Sequence, residues 1–204
     1  GQRQVGIRGS GVHGPCPDEA KDRKGFNPVE YPDLKFGYTV RIRPEGTAFR
    51  LVVDLDAPLP AEWIGRVGFN FELFPGLLFG KSFTADSGSG LFPLQPNGPG
   101  VLDAAGEYQQ APLATGRTLT VAPEDDSLRT TIRCDDGGTL ELVDGRAQHS
   151  HGWFVVRSTV AAGAAKGAIN WLVSPHALPG FRSAPVVQVS QVGYHPAQPK
   201  WAIV

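Results

Sequence analysis

Two acidic clusters, Glu124-Asp125-Asp126 and Asp135-Asp136, are the first residues to test for hydrolytic chemistry. Glycosidic bond cleavage takes two carboxylates across a cleft, one protonated as the acid and one ionised as base or nucleophile. Both clusters lie in turn-forming sequence, beside Pro123 and Gly137-Gly138. Carboxylates in turns solvate and cap, and neither cluster has the apolar surroundings that raise an acid's pKa. Nucleophile motifs fare no better: Gly88-Ser89-Gly90 is a flexible turn, not an elbow between strand and helix, and no glycine-rich phosphate loop occurs. No catalytic residue is assigned.

His149-Ser150-His151 is the nearest approach to a metal site. On a strand, residues i and i+2 share a face, so two imidazoles can reach one ion, with Asp144 a further ligand across a turn. Spacing without a full ligand set favours two solvated histidines, so neither metal nor cofactor is expected. Cys16 and Cys134 are the only thiols. A disulfide between them would pin the N-terminal arm to the sheet and stabilise by a few kcal/mol through chain entropy. Cys134 also ends an inward-pointing set with Leu128, Thr130 and Ile132, which suits a buried free thiol. Both alternatives stand on sequence grounds.

Sugar recognition needs flat aromatic rings against pyranose faces and polar groups at the hydroxyl rim. Trp63, Tyr108 and Trp153 are the candidate carbohydrate-binding residues. Trp63 follows the Pro58-Leu59-Pro60 turn; Trp153 precedes Phe154 and shares a face with Val155 and Arg157. Trp171 alternates with Ile169 and Val173 and reads as core.

The elements that must position these residues are strands. Residues 35–43 and 48–55 flank the turn composition Pro44-Glu45-Gly46, and Phe49, Leu51, Val53 and Leu55 alternate with Ala48, Arg50, Val52 and Asp54. Val67, Phe69, Phe71 and Leu73 form the next inward set. Residues 117–121, 128–134, 139–143, 153–160 and 168–173 continue the pattern, with Asp135-Asp136-Gly137-Gly138 and Asp144-Gly145 as hairpin turns. Between them, residues 75–112 are rich in Gly and Pro without periodicity, and such segments are often functional. A small enzyme sited in that loop is a third, weaker reading. About eight strands without intervening helices point to an all-β fold, an antiparallel β-sandwich. Residues 1–32 read as an irregular N-terminal arm, 33–180 as the sandwich, and 181–204 as a linker and the opening strands of a further module.

Composition narrows the function classes. The chain has 204 residues, enough for a sizeable core, and a formal net charge of −1, so no nucleic-acid partner is expected. No apolar run approaches the ~20 residues that span a bilayer, and residues 1–14 lack the apolar region of a signal peptide.

The last nineteen residues are the most specific feature. A β-branched run (Val186, Val187, Val189, Val192) enters a Gly-Tyr-x-Pro turn, and a second apolar run begins at Trp201. Val187, Gln191, Val192, Gly193, Tyr194, Pro196, Pro199, Lys200 and residues 201–204 resemble the entry strand of the immunoglobulin-like module preceding the catalytic barrel in family 9 glycoside hydrolases. Ser190 stands where that family often has asparagine. The resemblance covers about a tenth of the chain. It implies an N-terminal accessory sandwich plus the first strands of an incomplete immunoglobulin-like module. It also implies a secreted or periplasmic parent that hydrolyses β-1,4-linked glucans with inversion. The implied partners are a β-glucan polysaccharide or oligosaccharide and the remainder of the parent polypeptide. The family's catalytic carboxylates lie in a helical barrel, so none is carried over. A free-standing carbohydrate-binding or interaction module is the alternative. In either case residues 186–204 are too few to complete an immunoglobulin-like sheet, because lone strands leave backbone groups unpaired.

Overall fold

The computed structural model describes residues 5–11, 36–96, 100–102, 104, 106, 108–147, 152–180, 182 and 193–199. In chain order the strands are β1 (Val5–Gly11), β2 (Phe36–Glu45), β3 (Ala48–Leu55), β4 (Gly68–Leu73), β5 (Ser82–Ala85), β6 (Gly88–Leu91) and β7 (Gly100–Leu102). They continue as β8 (Tyr108–Gln110), β9 (Ala114–Gly116), β10 (Thr118–Val121), β11 (Thr130–Cys134), β12 (Leu140–Asp144), β13 (Phe154–Thr159) and β14 (Ile169–Pro175). Helix among the described residues is limited to single 3₁₀ turns at Ala61–Trp63, Pro75–Leu77 and Gly145–Ala147. The protein is an all-β antiparallel sandwich, as the alternating pattern predicts.

Its two sheets are unequal. The larger has eight strands in the order β1-β2-β3-β14-β11-β10-β5-β6, and the smaller has four, β4-β13-β12-β9. A separate ribbon pairs β7 with β8. The alternation read in β3 puts Leu51, Val53 and Leu55 into the core, in register with Val40 of β2 and with Ile169 and Trp171 of β14. Across the sandwich β4 presents Phe69, Phe71 and Leu73 on one face and Gly68, Asn70 and Glu72 on the other. Trp171 sits fully buried between the sheets. Its indole N–H donates to Ser158 Oγ at 3.2 Å, and Phe69 meets it edge-on with ring centroids 5.3 Å apart. Burial of each such large apolar side chain contributes ~1.5–3 kcal/mol.

The two sheets meet closely where β9 runs into β10. There the chain passes from β9 to β10 through Arg117 alone, a corner where one strand switches sheets. The β5–β6 hairpin tip locks this corner. Ser87 N–H donates to Thr115 O (3.0 Å), Thr115 N–H to Ser87 Oγ (2.9 Å), and Arg117 N–H to the Asp86 carboxylate (2.6 Å). Gly116 is required by this close approach, because a Cβ there would lie 2.7 Å from the Asp86 backbone nitrogen. On the opposite side, beyond β4, no strand of the small sheet lies over the inner face of β2 among the described residues.

Three local expectations are corrected. Residues 5–11, inside the segment read as an irregular arm, form β1 and pair with β2 from Val5↔Ile42 to Gly11↔Phe36. Residues 75–112 are not irregular throughout, since they hold β5 to β8. Gly90 sits beneath the Phe83 ring, where a Cβ would lie 2.6 Å from the ring, so the strand has glycine where an apolar residue would have marked it. The Asp135–Gly138 turn is not a hairpin. β11 pairs with β10 and β14, β12 pairs with β9 and β13, and the turn carries the chain between sheets. Asp136 fixes the exit by accepting from the Gly138 and Asn170 amides, both at 2.8 Å. Of residues 181–204, only 182 and 193–199 are described. The expected turn is present there, with Gly193 at φ 79° and Gln198 N–H donating to His195 O at 3.0 Å. The opening strands expected around it lie outside the described residues.

Gly116→Ala is expected to destabilise the fold by about 1–3 kcal/mol, the range for overpacking a tight site. A shift of the urea midpoint with unchanged slope checks it.

Candidate carbohydrate-binding surface

The carboxylates come first, because their surroundings decide whether they can transfer protons. Glu124 accepts from Ser82 Oγ (2.5 Å) and Ser82 N–H (2.8 Å), and these bonds hold its pKa below the usual carboxylate range. Lys81 lies 2.8 Å from Asp125, and it and Ser127 hold that carboxyl low as well. Asp135 is gripped by Arg133 and Arg50, which lower its pKa to about 2. Each is a structural anion joining β-strands and turns. None has the raised pKa that a general acid needs.

The aromatic candidates separate. Trp63 ends the Ala61–Trp63 turn half-buried and packed against the core, so its ring is not a free platform. Leu59 and Val67, on its two flanks, are buried in the core. Tyr108 opens β8 opposite Leu102 of β7. Trp153 is exposed, at 38%, immediately before β13. Its ring lies 5.3 Å from Phe74, tilted by 56°.

Phe74 was missed by the sequence reading, yet its parity marks it. Phe69, Phe71 and Leu73 point inward, so the next residue falls on the outer phase. The pair sits at one end of the sandwich, where β4 stops and β13 starts. Leu77, Phe79 and Leu94 are also exposed, on the segments that follow β4 and β6. Large exposed apolar patches mark interaction sites.

Arg146 organises that end. Its guanidinium stacks over Phe154 and Phe79, 4.5 and 5.0 Å from the ring centroids. It donates to both Asp144 oxygens (2.8 and 2.7 Å), to Pro93 O (2.7 Å) and to Leu94 O (3.0 Å). Asp144, the weak candidate for a further ligand beside the histidines, is fully buried and bonded to Arg146. His149 and His151 lie outside the described residues. Among the described residues no group of three His, Cys, Asp or Glu side chains is placed to hold a metal.

Cys134 carries a free, fully buried thiol that donates to Asp136 at 2.9 Å. Burial, then the neighbouring carboxylate, pushes its pKa up to about 12. Cys16 lies outside the described residues. Among the described residues no helix is long and apolar enough to cross a membrane.

Two expectations follow from these groups. In a Cys16→Ser background, native Cys134 should resist iodoacetamide at pH 8 and react on unfolding in denaturant, since the thiolate is the nucleophile. Asp135, depressed to about 2 when folded against ~3.9 unfolded, adds stability above pH ~4 that is lost as pH falls through its folded value. Asp135→Asn should therefore be less stable than the parent protein at pH 6, and the difference should close towards pH 2 in denaturant titrations. Comparison of the chain with protein-family models, with curated proteins and with solved structures finds no match.

Proposed function

We propose that this chain is a non-catalytic accessory sandwich of a secreted or periplasmic, family 9-like glycoside hydrolase, and that it binds β-1,4-glucan through its aromatic end. The observation that carries the binding role is the exposed Trp153 ring against Phe74, where β4 ends and β13 begins. Tilted rings set side by side suit a twisted glucan chain, whose successive pyranose faces turn along its length. The link to a hydrolase is supported by the Gln191-Val192-Gly193-Tyr194-x-Pro196 resemblance and the delayed Pro199-Lys200. The non-catalytic assignment is supported by carboxylates whose bonding keeps them ionised. The bond-breaking residues belong, on this reading, to the parent's helical barrel.

The test is retention on insoluble cellulose and retardation in gels containing soluble β-glucan. Trp153→Ala and Phe74→Ala should each weaken binding by about tenfold, because truncating a central aromatic costs more than ~1 kcal/mol. Unchanged retention of both variants would remove the binding role. Release of reducing sugar by the 204 residues alone would overturn the non-catalytic assignment.

A further inference from the structure

The open side of the sandwich holds a groove of about 1030 Å³. Tyr38, Val40 and Ile42 of β2, with Leu51 and Val53 of β3, line one wall. Phe69 and Phe71 of β4 line the other, and Ser158 and Val160 lie at the end of β13. Among the described residues β4 pairs only with β13. Its second edge, at residues 68–71, borders the groove. Strands in a sheet lie ~4.8 Å apart and packed sheets ~10 Å apart. A strand added beside β4 would therefore lie directly over the uncovered inner face of β2.

We propose that this groove takes an extended peptide segment of a partner polypeptide as a fifth strand of the small sheet. Two features favour a peptide over a glycan or an acyl chain. The walls are apolar at the two-residue spacing of β2 and β4, which matches side chains on alternate positions of a strand. The β4 edge also offers backbone donors and acceptors that an acyl chain leaves unpaired, and unpaired backbone groups out of water are costly.

Charge at the mouth specifies the partner further. Arg157 is neutralised by Glu141 at 2.8 Å. Arg66 is exposed and has no carboxylate partner among the described residues. The mouth is therefore net positive, and the fitting strand is apolar at every second residue with a carboxylate at its end. This site lies at the far end of β4 and β13 from the Phe74–Trp153 pair, so it is independent of the sugar-binding reading.

The test uses the whole 204-residue chain and a fluorescent synthetic decapeptide of alternating valine and threonine with aspartate at each end. Two further versions carry N-methyl groups on one or the other alternate set of residues, each blocking one strand edge. Anisotropy should show saturable binding that weakens with salt. One methylated version should bind like the parent peptide and the other at least tenfold more weakly. Hydrogen exchange of the residue 68–71 amides should slow when the parent peptide is bound, and Trp153→Ala should leave peptide affinity unchanged. Equal binding of both methylated versions, no binding at all, or loss of binding in Trp153→Ala would each overturn the proposal. So would protection of the same amides by cellohexaose, by dodecanoate or by dimerisation with no response to the peptide.

Discussion

Eight strands facing four is the constraint from which the rest of this structure follows. Sheets pack by interlocking their inner faces, so the area of the smaller sheet sets how much of the larger one can be dry. Here the mismatch falls entirely on one side. The β5–β6 hairpin tip reaches across and bonds to β9, which closes that side with backbone hydrogen bonds. The excess area is displaced to β2 at the other side. Trp171 fixes the registry between the sheets, since its ring packs against Phe69 and its N–H needs Ser158. An indole N–H buried without an acceptor costs about 1–3 kcal/mol, so sliding either sheet is penalised twice, in packing and in polar satisfaction.

Polar groups inside this sandwich are used to fix loops. Burial of an ion costs several kcal/mol, and a buried pair is tolerable only when its remaining hydrogen-bonding capacity is filled. Arg146 meets that condition by bonding Asp144 and two loop carbonyls while its plane covers two phenylalanine rings. Asp54 meets it on its own side, with Arg41 and the Gly167 amide, although Arg41 Nε is left buried without a partner among the described residues. In each case a loop is fixed to a strand by a charge that cannot be left unpaired.

How far the sequence could be read depended on whether side chains kept the two-residue period. β3, β4 and β10 to β14 largely did so, because most of their inward residues are branched or aromatic and most of their outward ones polar, with Val52, Val143, Val155 and Leu172 as exceptions. β6 did not, since Gly88 and Gly90 make room for Phe83 and leave no apolar signal. The Asp135–Gly138 turn has hairpin composition, but composition does not say which strand follows. Only the bonds from Asp136 to Gly138 and Asn170 reveal that the chain changes sheets. Among the aromatic candidates, Trp153 was legible as a ring at a strand start. Trp63 is half-buried against the core, which its place after the Pro58–Pro60 turn did not decide. Arg146 was invisible: an arginine after Asp-Gly reads as surface, and its four acceptors converge only in the folded chain.

The two surfaces of interest are carried by the same pair of strands. β4 and β13 end at Phe74 and begin after Trp153 on one side, and reach Gly68 and Thr159 on the other. As an edge strand, β4 is held by a single ladder, to β13, and by the packing of Phe69, Phe71 and Leu73 against the core. Phe74 is attached directly to its end and inherits whatever motion β4 has. A fifth strand would add a second ladder at residues 68–71, which stops short of Phe74, so the two surfaces share β4 without sharing a contact residue.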